Sequence, residues 1–162
     1  RTNEDSAMKI LGSVLIAAVC MAAGPALAGK KEEAPAAAPG SCTANFKQEG
    51  NYIAGRRFST WEVVPGVSPS VAYKRIYMEG VKAGLKVTSS DEKMGIIQFE
   101  QANAGKSFTS DQIVSLPTSV TIEAEGKGAK ISITKTTPPA YAAGKEAQIK
   151  SMCMVVDAAR SK

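Results

Sequence analysis

No histidine occurs among the 162 residues. That absence excludes a Ser-His-Asp triad, a Cys-His pair, the His-containing zinc sites and histidine-ligated haem. Aromatic residues make up only 6% of the chain, and its formal charge of +5 is spread along it. Basic residues gather at Lys30-Lys31, answered at once by Glu32-Glu33, and at Arg56-Arg57. Neither forms the basic, aromatic-interleaved stripe that nucleic acid requires, so no nucleic-acid partner is expected. Acidic clusters with calcium-loop spacing are missing too, and no metal or cofactor is expected. Hydrophobic residues still reach 44%, enough for one domain of ordinary size to bury a core.

A long apolar run occurs once. Lys9 precedes the uncharged stretch Ile10 to Ala23, Gly24-Pro25 breaks it, and Ala26-Leu27-Ala28 places small residues at a signal peptidase site. This is the tripartite secretory pattern, with cleavage expected between Ala28 and Gly29 and a periplasmic or secreted product. The run is shorter than the ~20 residues of a spanning helix, so no stable membrane insertion is expected after cleavage. Cys20 could suggest a lipoprotein, but Ala17, Ala18 and Val19 before it lack the large-then-small order that acylation needs. Residues 1–28 therefore read as an upstream stretch plus signal peptide. Residues 29–41, with KKEEAPAAAP at their centre, read as a flexible Ala/Pro-rich spacer, and 42–162 as a single domain.

Beyond the signal only Cys42 and Cys153 remain. An even count in an oxidising space favours a disulfide, which would close a loop of roughly 110 residues and contribute about 4–5 kcal/mol in the chain-entropy model. The alternative is a core Cys153 with Cys42 free or paired between chains.

Arg57 to Val64 is rich in β-branched and aromatic residues and stops at Pro65-Gly66, which predicts a strand. Ser68 or Ser70 can cap the helix that follows, with Pro69 at its mouth. From Val71 to Leu85 the apolar period is helical, with Ala72, Tyr73, Ile76, Tyr77, Gly80, Val81, Ala83 and Gly84 on one arc. Leu85–Ser90 and Gly95–Gln101 read as a hairpin around a polar turn. Thr118–Glu125 and Lys130–Thr136 alternate cleanly about Gly126-Lys127-Gly128, with Val120, Ile122, Ile131 and Ile133 inward. Residues 102–117 read as a long loop with room for one helical turn after Thr109. Lys145–Arg160 closes the chain as a second amphipathic helix. The order β-α-β-β-β-β-α, with no repeated βαβ crossover, implies an α+β fold: a single antiparallel sheet of about five strands with two helices packed on one face.

The run Tyr73 to Glu100 (YKRIYMEGVKAGLKVTSSDEKMGIIQFE) resembles the small helix-grip α/β modules of bacterial envelope lipoproteins, the BamC-like C-terminal modules. The resemblance implies a sheet clasped by a helix and a terminal helix, and a role in protein contacts rather than catalysis.

Three motifs match chemistry only superficially. Gly105-Lys106-Ser107 ends like a phosphate loop, but Glu100 stands where that loop needs glycine. Ser90 and Lys93 fit Ser-x-x-Lys inside a hairpin turn rather than at a helix start. Glu123 with Glu125, or Asp91 and Glu92 with Glu100, would lie solvated on polar surface, unlike a catalytic acid in an apolar pocket. The chain is thus expected to be a non-enzymatic envelope protein that binds an envelope protein or cell-wall component through its sheet face or long loop. The alternative is a carrier of a small apolar ligand, with a pocket between helices and sheet lined by Trp61, Tyr77, Phe99 and Ile122.

Overall fold

The computed structural model describes residues 40–107 and 110–160. The expected signal peptide, and the spacer as far as residue 39, lie outside the described residues. The elements run β1 (Lys47–Asn51), β2 (Gly55–Pro65), α1 (Pro69–Lys82), β3 (Lys86–Asp91), β4 (Ile96–Gln101), β5 (Lys106–Ser107), β6 (Ser110–Ile113), β7 (Leu116–Glu125), β8 (Gly128–Thr137) and α2 (Lys145–Arg160). Six strands form one sheet in the order β1-β2-β8-β7-β4-β3, antiparallel throughout. Both helices pack on one face of it, the helix-grip layout of an α+β fold.

Three strands beyond the expected set account for the differences. The edge strand β1, KQEGN, is exposed along its whole length and carries no apolar alternation, so only its pairing with β2 makes it a strand. In the long loop β5 and β6 pair as a small second sheet, so the segment after Thr109 is extended rather than helical. The Tyr141 hydroxyl fastens this flap by donating to the Ala104 carbonyl at 2.6 Å.

Period-two alternation sorts the main sheet into two faces. Phe58, Thr60 and Val64 of β2 point inward with Ile97 and Phe99 of β4, Val120 and Ile122 of β7, and Ala129, Ile131 and Ile133 of β8, and all are buried. Full burial of each large side chain among them contributes about 1.5–3 kcal/mol. Against this face α1 buries only Ala72, Tyr73 and Ile76, so its C-terminal half is more open than its apolar arc suggested. Helix α2 buries Gln148, Met152, Val156, Ala158 and Ala159.

Helix α1 starts and stops for local reasons. The Ser68 hydroxyl accepts from Val71 N at 3.4 Å with Pro69 in the first turn. At the other end Gly84 takes φ +78°, while Leu85 N donates to Gly80 O and Gly84 N to Val81 O, each at 3.0 Å. That paired closure needs the left-handed conformation glycine adopts freely. The helices then tie to each other: the Arg75 guanidinium donates to the Ala159 carbonyl at 2.8 Å, satisfying an open acceptor at the end of α2.

Cys42 and Cys153 form the disulfide, with Cα atoms 5.6 Å apart. Glu62 on β2 reinforces it, accepting from Cys42 N at 2.7 Å and pairing with Arg160. The segment before β1 is thereby fixed to the last helix.

Candidate functional site

A cavity of about 540 Å³ lies between the two helices and the inner sheet face. Its origin is the small side chains on the facing helices. Gly80 of α1 and Ala83 at its C-cap line it, and on α2, Ser151 and Ala158 do so beside Met152 and Val155. No large side chain from either helix fills the gap over β4, β7 and β8. Phe99 occupies part of it, so close to Gly80 that a Cβ there would meet the ring at 2.5 Å. The glycine is what lets the aromatic ring slide under the helix.

One inward row of the sheet carries the polar chemistry. Across the register run Val87, Phe99, Thr118, Lys135 and Phe58, each opposite the next. Lys135 is thus on the core face, 7% exposed, between an aromatic neighbour on β2 and Thr118 on β7. Its ammonium donates to Gln101 Oε1 at 3.4 Å, and no carboxylate among the described residues pairs with it. Burial in this apolar setting pushes the Lys135 pKa below the usual lysine value. Two acids, Glu79 on α1 and Asp157 on α2, also line the cavity. Each has its own cation, Lys82 for Glu79 and Arg160 for Asp157.

Of the residues expected to line a pocket, Phe99 does. Ile122 is buried in the core, away from the cavity wall. Tyr77 stacks on Tyr73 and borders a separate, smaller hollow of about 320 Å³ beside Ser90 and Glu92. Trp61 departs furthest: it stands on the outer sheet face, 38% exposed, with the Lys130 ammonium 5.0 Å from its ring centroid. The reason is parity, since an odd step along a strand separates Trp61 from Phe58 and sends the two to opposite faces. Trp61 therefore lies outside the pocket it was expected to line, and Lys135, which the sequence analysis did not name, lies inside it. The signal for that lysine was present, because Ile131, Ile133 and Lys135 share one alternation.

The superficial motifs stay apart from this site. Ser90 is an exposed residue within β3, paired with Ile97, and Lys106 lies on β5 in the flap. Among the described residues no group of three or more His, Cys, Asp and Glu side chains could hold a metal ion. Nor is any helix there long and apolar enough to cross a membrane.

No family model matches the chain. No curated protein matches it either. Among solved structures it is similar to the crystal structure of Ara h 8.0201, with a TM-score of 0.47 and 11% identity over 66% of this chain and 97% of that one.

Proposed function

We propose that this protein is a non-enzymatic carrier of a small apolar molecule, held between the helices and the sheet in a compartment outside the cytoplasm. The observation that carries this reading is the cavity itself. Its volume of about 540 Å³ falls in the range of small-molecule sites, and a mostly apolar wall with few polar groups is their usual make-up. At about 30 Å³ for each water-sized atom, it has room for roughly eighteen non-hydrogen atoms. The disulfide supports an oxidising compartment.

The test is methyl NMR of the protein titrated with 1-dodecanol delivered from cyclodextrin. Saturable shifts at Ala83, Met152 and Val155, with Met94 on the far turn unmoved, are the expected result. Absence of saturable shifts at those methyls with 1-dodecanol and with dodecanoate alike overturns the carrier reading.

A second reading has its own observation. Trp61, flanked by Lys130 on the outer sheet face, offers an aromatic-cation platform for a cell-wall component. Cosedimentation with peptidoglycan that is lost in Trp61→Ala would favour it, and no cosedimentation of the native protein would end it.

A further inference from the structure

Buried charges in folded proteins are paired, and an ammonium held in an apolar wall without a counter-ion is costly. Lys135 is in that position. It is the sole cation among the described residues that line the cavity, and its polar neighbour is the neutral amide of Gln101. The acids on the same wall do not serve it, because Glu79 and Asp157 are engaged by Lys82 and Arg160 on the helix surfaces. Hydroxyl groups stand nearby: Thr118 lies directly opposite Lys135 in the β7–β8 register, and Ser151 lines the wall from α2. The remaining wall from Ile76, Leu85, Phe99, Met152 and Val155 is apolar.

We propose that the cavity takes long-chain monocarboxylates, the ligand's carboxylate accepting hydrogen bonds from the Lys135 ammonium while its hydrocarbon chain fills the space under Gly80 and Ala83. This rests on the carrier reading and specifies its ligand. A carboxylate supplies the missing counter-ion, and the adjacent Thr118 hydroxyl can donate to its second oxygen. Shape and charge thus favour one ligand class: a single anionic head on an apolar body of roughly eighteen non-hydrogen atoms in all.

The experiment compares dodecanoate with 1-dodecanol, both delivered from cyclodextrin, by isothermal titration with the native protein and with Lys135→Met. The native protein is expected to bind the acid at least about tenfold more tightly than the alcohol, the size of one charge-assisted hydrogen bond. Lys135→Met is expected to lose that preference while still binding the alcohol. Equal binding of acid and alcohol by the native protein overturns the carboxylate inference and leaves the carrier reading intact. A preference that survives in Lys135→Met overturns it as well. Binding of neither compound overturns the carrier reading itself. The comparison on native protein needs no variant, so a misfolded substitution would not shield the inference.

Discussion

Reduction of the Cys42–Cys153 bridge gives the largest stability effect that the structure allows to be worked out in advance. The bond joins residues 111 apart in sequence, and closing a loop of that size removes about 16 cal/mol/K from the unfolded chain, or about 4.8 kcal/mol at 25 °C. A body of about 120 residues unfolds with an entropy near 0.25 kcal/mol/K, so losing the bridge should lower Tm by about 19 °C. Cys42 is 3% exposed and the Thr60 hydroxyl donates to its carbonyl, so truncation to alanine would add a cavity cost that reduction avoids. The assay is calorimetry with and without a phosphine reductant, with both thiols titrated as free in the reduced sample. Agreement of calorimetric and van't Hoff enthalpies in each state licenses the comparison. A fall of less than about 5 °C with both thiols free would refute the reasoning, because it would mean that the unfolded chain already keeps its two ends together.

Three other outcomes follow from single contacts. Lys135 has its pKa lowered by burial, so between that depressed value and the ordinary 10.5 the unfolded chain binds more protons than the folded one, and stability rises with pH. Lys135→Met should therefore stabilise the domain at neutral pH, by on the order of 1 kcal/mol. That advantage should shrink in urea melts as pH climbs toward 10.5, with Glu79 and Asp157 on the facing helices as the other charged groups of the wall; an advantage that grows with pH would contradict the burial argument. Gly95→Ala should cost about 3 kcal/mol in urea denaturation, since φ is +66° and a Cβ would run into the Ile122 carbonyl; a loss below about 1 kcal/mol would show that the β4–β7 junction yields. Glu62→Ala should cost about 2 kcal/mol because the Cys42 amide loses its acceptor. Glu62→Gln keeps an oxygen there and should cost under half of that in the same assay.

The β7–β8 hairpin was legible because two clean alternations flank a glycine turn, a signal confined to twenty neighbouring residues. The entry of α1 at Ser68-Pro69 and both bounds of α2 were legible for the same reason: caps and periods are local. The disulfide followed from counting the cysteines that remain beyond the expected signal peptide. Strand β1 was hidden because its exposed polar residues gain their extended form from β2, a partner that the sequence does not point to. The cavity was harder still. It exists because Gly80 and Ala83 share a wall with Ala158, distant in sequence, beside Phe99, and small residues on an apolar arc look like close packing until the opposite surface is known. Lys135 failed to stand out because lysines in strands are usually solvent-facing, and the alternation that placed it inward was followed only as far as Ile133.

The Glu62-backed bridge has a mechanical meaning. Tension applied between the segment preceding Cys42 and the residues after Cys153 would run through sulfur rather than through the hydrogen-bonded strands. The sheet would stay slack under a load that unzips an unbridged domain of the same shape.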